Sequence, residues 1–193
     1  MWFPDFRLQF SSPSAVGQSA KKQAAKRIAS GTGNFHPVGV IPTEHRAFAL
    51  CHAQIVVRSH AHFTGRELLP LALSPDELAE KLFEAPFALL SHGTQADPVL
   101  NYGNRAALAL WEMGWDEFTH LPSRLTAEPP NREERARLLA AVAVRGCLDD
   151  YSGVRISRTG RRFKIARATL WNLILPDGSL GGQAAMFDHW EPV

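Results

Sequence analysis

The sequence predicts an α+β fold, in which a five-stranded antiparallel sheet has a helical belt on one face and extra N-terminal helices. Three features of the 193-residue chain predict it. Residues 148–187 alternate between apolar and polar side chains around two glycine turns, which is typical of an antiparallel meander. Two short apolar runs within residues 87–102 add two strands. The remainder of residues 44–146 has helical spacing, and the last three strands lack the helical crossovers of a parallel sheet.

Residues 1–43 differ in composition from the rest of the chain. They contain five basic residues against the single acidic Asp5, and Ser, Gly, Ala and Pro dominate. Two interpretations remain open: a disordered extension, or a segment that targets a chloroplast or mitochondrion, because such segments are basic and Ser-rich. So few positive charges would attract the phosphate backbone only weakly, so we do not expect the chain to bind nucleic acid. The domain is predicted to span residues 44–193.

The cysteine content and the hydropathy pattern bear on the compartment. Cys51 and Cys147 are too few for a disulfide framework and fit a reducing compartment. No run reaches about 18 uncharged apolar residues, so we expect no membrane span. The expected location is the cytoplasm, or an organelle if residues 1–43 are a transit segment.

Two N-terminal helices are predicted ahead of the sheet. Apolar residues at helical spacing indicate a helix over Glu44–Thr64, which Gly65 would end. The second helix begins at Ser74, which is followed by a proline suited to the first helical position. Glu77 completes a capping box with Ser74, and this helix ends near Pro86.

The middle of the chain combines short strands with the helices of the belt. We expect strands at Phe87–Ser91 and Pro98–Tyr102, and helices at Arg105–Met113, Trp115–His120 and Asn131–Arg145. Asn104 is placed to cap the first of these helices, and Gly114 to end it. His92 precedes a glycine turn, and we expect its side chain to bond the local backbone.

The C-terminal third is predicted to be a three-stranded meander. Its strands are Leu148–Arg158, Arg161–Leu175 and Ser179–Phe187, separated by turns at Thr159-Gly160 and Pro176-Asp177-Gly178. In the middle strand, regular alternation would place Phe163, Ile165, Thr169 and Trp171 on the same face.

Four stretches with this element order resemble PAS-type sensory domains. They are Pro98–Ala107, where a strand ends and a helix begins, Trp111–Phe118, with its helix, glycine and short acidic helix, and the hairpins Ser157–Phe163 and Leu175–Gly182. The resemblance implies a PAS fold and a role in sensing a ligand or binding a partner.

Two longer stretches narrow this resemblance. Leu90–Pro98 and Leu121–Pro129 are similar to the MEKHLA domain, a PAS-related family whose members include stand-alone proteins and the C-terminal part of certain plant transcription factors. The resemblance covers about residues 44–190. The six letters that name the family do not occur here, which favours the stand-alone branch. The family brings no catalytic residues with it.

A pocket between the sheet and the belt is the first candidate site. Its predicted lining residues are Leu90, Tyr102, Trp111, Leu125, Phe163, Trp171 and Met186. The alternative is that these side chains fill a closely packed core and leave no space for a ligand.

Arginine side chains make two candidate sites for anions. Arg124 could bind an anionic group, or pair with Glu128 on the surface. Several basic residues of the C-terminal hairpin form either a patch for an anionic partner or a solvated edge that discourages strand pairing. These residues are Arg155, Arg158, Arg161, Arg162, Lys164 and Arg167.

The sequence predicts neither a flavin cofactor nor a metal site. Related light-sensing domains carry a Cys-Arg-Phe-Leu-Gln stretch where this chain has Ser123-Arg124-Leu125-Thr126-Ala127, so we expect no flavin adduct at Ser123. His45, His52 and the pair at residues 60 and 62 lack a zinc-binding motif, and we expect no metal.

Two functions remain open, and neither is enzymatic, because no set of acid, base and nucleophile can be assembled. One is a sensory or regulatory module that binds a small molecule or a protein partner. The other is a pure interaction module with a filled core, which dimerises through the helix at Glu44–Thr64. Phe48, Ile55, Val56 and Phe63 give that helix more apolar surface than a solvated helix shows.

Overall fold

The computed structural model describes residues 41–193, so the expectations for the segment before residue 41 lie outside the described chain. The helices are α1 (Arg46–Thr64), α2 (Pro75–Glu84), α3 (Arg105–Trp111), α4 (Trp115–Phe118) and α5 (Arg132–Arg145). The strands are β1 (Ala88–His92), β2 (Leu100–Gly103), β3 (Cys147–Ile156), β4 (Arg162–Ile174), β5 (Leu180–Phe187) and β6 (His189–Pro192). Short 3₁₀ turns lie at Thr43–His45, Ser123–Thr126 and Pro129–Asn131.

Local capping signals determine where most helices begin and end. α2 has the predicted capping box, in which the side chains of Ser74 and Glu77 each accept from the other's backbone amide. Gly65 ends α1 in the left-handed conformation. The prediction that Gly114 ends α3 is wrong, because Glu112 takes the left-handed position two residues earlier. Gly114 instead precedes the first turn of α4.

The sheet is antiparallel, with strand order β2-β1-β5-β4-β3. The meander β3-β4-β5 and the two earlier strands form a single sheet, as predicted. A sixth strand, β6, pairs with the first half of β4, where Ile165 lies opposite Trp190. The sequence does not predict this strand, because Asp188, His189 and Pro192 interrupt any apolar alternation.

Two β-bulges reverse the alternation within the β3–β4 pair. Arg167 in β4 and Asp150 in β3 are extra residues in the pairing register, and both have positive φ. Ile165 before the bulge and Leu170 after it therefore face the same side, whereas Trp171 faces the other. The predicted common face of Phe163, Ile165, Thr169 and Trp171 is wrong for this reason.

Helices cover both faces of the sheet. On one face, the Trp171 indole nitrogen donates to the Val56 carbonyl of α1 at 3.3 Å, and Ser59 of α1 accepts from the Ile174 amide at 2.9 Å. On the other face, Asn172 and Gln183 donate to backbone carbonyls of α5 at 3.2 and 3.0 Å. The belt thus covers one face, as predicted, and the N-terminal helices cover the opposite one.

The apolar residues of α1 pack mainly against the chain's own sheet. Val56 is fully buried, and Ile55 and Phe63 are half-buried against the core. Phe48 remains 41% exposed and stacks on His52. Most of the apolar surface that suggested dimerisation therefore has an intramolecular role. Within residues 41–193, no helix has the length and hydropathy needed to cross a membrane.

Candidate functional site

A cavity lies between the sheet and the helical belt. Its floor is a row of paired residues from three adjacent strands, with Ala185 of β5 between Leu90 of β1 and Leu170 of β4. Trp111 of α3 and Leu138 of α5 form part of the roof. The volume open to the centres of water molecules is about 40 Å³. One water needs roughly 10–15 Å³ by the same measure, so the cavity has room for a small ligand.

The central position of Ala185 shows that the cavity interrupts the core. This residue pairs with strands on both sides, yet it is only half-buried, as is its neighbour Leu90. A residue in a middle strand normally packs completely against the layer above it. The cavity therefore lies above the middle of the sheet.

Polar side chains cluster at the end of the cavity formed by β3 and α5. Arg155 is 6% exposed and lies over the Tyr151 ring, 5.4 Å from its centroid. Its guanidinium donates to the Val154 carbonyl at 2.8 Å and to the Tyr151 hydroxyl at 3.2 Å. Both acceptors are neutral, so they do not balance the positive charge of Arg155.

Arg135 of α5 brings a second guanidinium to this cavity. Within residues 41–193, Arg135 forms neither a side-chain hydrogen bond nor an ion pair. Burial lowers the pKa of Arg135 to about 10, and the like charge of Arg155 acts in the same direction. Tyr151 and Asp97 oppose this shift. Arg135 is therefore still charged at neutral pH, beside a second cation.

Two ring nitrogens among the lining residues lack protein partners in the described chain. His92 donates from Nδ1 to the Gly93 carbonyl at 2.9 Å, which is the local backbone bond that the sequence predicts. Its Nε2 has no partner, and neither has Nε1 of Trp111, which is 1% exposed. Burial lowers the pKa of His92, and the nearby charge of Arg135 adds to this, so the ring is neutral at pH 7.

An amide pair connects the cavity floor to α5. Gln183 of β5 donates to the Leu139 carbonyl and to the side-chain oxygen of Asn172, both at 3.0 Å. Asn172 in turn donates to the Ala143 carbonyl at 3.2 Å. Displacement of α5 would therefore change the hydrogen bonds of two adjacent strands.

The structure brings two of the seven predicted lining residues, Leu90 and Trp111, to the cavity. Phe163 lies on the same face but behind Trp111, with 5.2 Å between ring centroids. Leu125 does not contribute to the wall, because it is 37% exposed on a 3₁₀ turn. The other three face the N-terminal helices: Trp171 because of the bulge at Arg167, Met186 because it alternates with Ala185, and Tyr102 because β2 carries an irregularity.

The opposite face of the sheet holds a small buried polar network. His52 of α1 lies 2.8 Å from the Ser91 hydroxyl, which donates to the Asn101 side chain at 2.6 Å. Burial lowers the pKa of His52 to about 4 and raises that of Tyr102. The distance between His52 and Ser91 is that of a nucleophile–base pair. Ser91 is only 1% exposed, however, so its hydroxyl is not accessible to a substrate.

Most of the arginines predicted to bind anions form surface ion pairs with carboxylates of the same chain. Arg124 donates from Nε to both carboxylate oxygens of Asp97 at 3.1 Å, so the expected pairing with Glu128 is wrong. Glu128 pairs instead with Arg162 at 3.0 Å. The hairpin residues Arg158, Arg161 and Arg167 also have carboxylate partners, and Arg155 is buried in the cavity wall. These pairings balance most of the charge on the hairpin.

Three polar cavity residues are not predicted as such from the sequence: Arg135, Arg155 and Gln183. Arg135 follows two glutamates in α5, so its surroundings in the sequence resemble a solvated helix face. No group of three or more histidine, cysteine, aspartate or glutamate residues within residues 41–193 is arranged to hold a metal ion.

The MEKHLA domain profile matches residues 50–192. No curated protein is similar enough in sequence to count as a relative.

Solved structures of PAS domains share the fold. A PAS domain from Colwellia psychrerythraea has a TM-score of 0.52 and 12% sequence identity, over 61% of this chain and 94% of that one. An RNA-binding light-oxygen-voltage receptor has a TM-score of 0.50 and 14% identity, over 88% of this chain and 63% of that one. These similarities establish the PAS fold of the sheet and belt.

Proposed function

The chain belongs to the MEKHLA domain family, and from this premise we propose that it is a sensory or regulatory module that binds a small molecule between sheet and belt. A change of ligand would shift the population of belt positions without any covalent step. The location that we propose is the cytoplasm, with an organelle as the alternative.

The observation that carries this proposal is the set of unpartnered polar groups in the cavity wall. Trp111 Nε1 and His92 Nε2 are buried without a partner in the described chain. A buried polar group that stays unsatisfied costs about 1–3 kcal/mol. A core that served packing alone would favour apolar side chains at these positions, so the wall supports a ligand that supplies the missing hydrogen bonds.

The contacts of α5 suggest how binding would be transmitted. Leu138, Leu139 and Arg135 of α5 all line the cavity, while Gln183 and Asn172 of the sheet bond to carbonyls of the same helix. A ligand below α5 would therefore alter the distance between helix and sheet. Partners that recognise the outer surface of α5 would detect this change.

We propose that the domain has no catalytic role. The nearest approach to a catalytic pair is the contact between Ser91 and His52, both of them buried, and the Ser91 hydroxyl points to α1 although Ser91 borders the cavity. A substrate has no access to the Ser91 hydroxyl, which already donates to Asn101. This placement favours a structural role for the pair.

An interaction module is the second candidate. Phe48 is 41% exposed on α1, and its stacking on His52 holds the ring at the surface. An exposed aromatic side chain of this kind suits a homodimer contact. Light scattering on the full chain and on Phe48→Glu tests it, and an unchanged mass between the two argues against this dimer.

Native mass spectrometry of the full chain tests the sensory proposal. We expect a retained small molecule, released when the protein is unfolded. Ala185→Leu places a larger side chain in the cavity floor and should reduce the retained mass. Ala166→Leu, also half-buried but not in the cavity wall, is the matched control and should retain the molecule. Equal retention in both variants would oppose binding in this cavity.

A further inference from the structure

We infer that the cavity recognises a small monocarboxylate with a short apolar body, bound by Arg135 and Arg155. This inference rests on the proposed function, since it names the ligand class of the same cavity. Three observations carry it: the charge of the wall, its hydrogen-bond donors and its size.

The charge of the wall is positive and uncompensated. Arg135 and Arg155 both line the cavity, whereas none of its lining residues is an aspartate or glutamate. Asp97, the acidic residue that influences Arg135, is bound by Arg124 through both carboxylate oxygens. A negative charge nearby would stabilise both guanidinium groups, because Arg155 is buried and the half-buried Arg135 carries the same charge.

The donors of the wall fit a carboxylate. A guanidinium presents parallel N–H groups that match the two oxygens of a carboxylate, and Arg135 makes no hydrogen bond to residues 41–193 that would compete. Arg155 lines the cavity and already uses two of its donors on Val154 and Tyr151, which fixes the position of its guanidinium.

The volume of the cavity and its uncharged lining residues limit the length and the charge of the ligand. About 40 Å³ is open to water centres, equivalent to roughly three water molecules. Away from the two arginines, Leu100, Leu138, Ile165 and Leu170 give the wall a large apolar part, and its other polar residues, Thr126 and Gln183 among them, are uncharged. An acid of two to four carbon atoms satisfies both limits, whereas a dicarboxylate would place its second charge against apolar side chains.

Propionate and its uncharged isostere propionamide provide the test on the full chain. Isothermal titration and the urea midpoint measure binding and stabilisation. We expect propionate to raise the midpoint and propionamide to leave it unchanged. Arg135→Met keeps the aliphatic volume and removes the charge, so its affinity for propionate should fall at least tenfold. Arg105→Met, which removes an arginine paired with Glu84 outside the cavity wall, should bind propionate normally.

The unliganded variant gives an independent readout. If Arg135 is held in place for a ligand, Arg135→Met should raise the urea midpoint without propionate, because it removes a half-buried charge that repels the buried Arg155. A lower midpoint would show that Arg135 stabilises the fold and would overturn the inference. Normal propionate binding by Arg135→Met would overturn it as well.

The remaining outcomes separate the two proposals. Stabilisation by propionamide equal to that by propionate overturns the carboxylate inference and leaves the sensory proposal standing. Equal stabilisation by inorganic phosphate shows a site for anions in general and overturns the monocarboxylate class. If no probe binds and native mass spectrometry finds no retained molecule, both proposals fail together.

Discussion

The side-chain oxygen of Asn104 accepts a hydrogen bond from the Leu89 amide at 2.9 Å and thereby joins the first turn of α3 to the middle of β1. The same oxygen caps α3 through the Ala107 amide at 3.1 Å. The Asn104 amide nitrogen donates to the Phe87 carbonyl at 2.7 Å. One fully buried side chain therefore fixes the position of the belt relative to the sheet.

Asn104→Ala should lower the free energy of unfolding by about 3 kcal/mol. The variant loses an N-cap worth about 1 kcal/mol and leaves two buried backbone groups without partners. Urea denaturation measures the loss. Asn131→Ala is the control, because Asn131 precedes α5 without a side-chain capping bond, and its effect should stay below about 0.5 kcal/mol. Equal losses would contradict this account of Asn104.

Gly182→Ala should lower the free energy of unfolding by at least about 3 kcal/mol, because strain and a clash add together. Gly182 has φ near 130°, and a Cβ there would overlap the backbone carbonyl oxygen of His92 in the adjacent strand. Gly178→Ala is the matched control, since Gly178 also has positive φ but no atom within 4 Å of the added Cβ. We expect that control to lose about 1 kcal/mol, from strain alone.

Acid should destabilise the fold through His52. Its pKa falls from 6.5 to about 4 on burial, so the unfolded chain binds a proton between these values that the folded chain does not. The free energy of unfolding should therefore fall by about 2 kcal/mol between pH 7 and pH 5 from this group, and none of this loss occurs above pH 7. The lowered pKa values of His60 and His92 act in the same direction.

His52→Gln isolates this contribution. A glutamine amide can still donate to Ser91 but has no charge to gain in acid, so the pH dependence should become shallower. Urea denaturation at several pH values provides the measurement. His62→Gln, on the exposed side of α1, should keep the original slope. Parallel slopes for His52→Gln and the unmodified chain would exclude His52 as the source.

Arg167→Gly should raise the free energy of unfolding by about 0.5 kcal/mol. Arg167 has φ 54°, a conformation that costs a residue with a side chain about 1 kcal/mol. The lost ion pair with Asp188 is long and exposed, so it offsets little of the gain. Lys164→Gly in the same strand should have the opposite sign, because glycine weakens an ordinary strand position. If Arg167→Gly and Lys164→Gly both lower the thermal unfolding midpoint, the bulge is not strained.

Local chemistry made much of the fold predictable. The capping box at Ser74, the stop at Gly65 and the glycine turns of the meander depend on neighbouring residues, and the structure has each of them. The candidate site was less predictable, because side-chain direction in β4 depends on the register between two strands. Arg167 carries no turn signal, so the reversal that sends Trp171 to α1 does not show in the sequence. Arg135 likewise becomes a cavity residue only when α5 lies across the sheet.

The bulge also determines which length changes β4 can accept. With Arg167 present, Ile165 and Leu170 both face the cavity, whereas Trp171 packs on α1. Deletion of this one residue would restore a regular repeat and reverse the direction of every side chain after it. The Trp171 indole would then point into the cavity, and Leu170 and the polar Asn172 would face α1. We therefore expect changes in the length of this strand to be tolerated in pairs of residues and not singly.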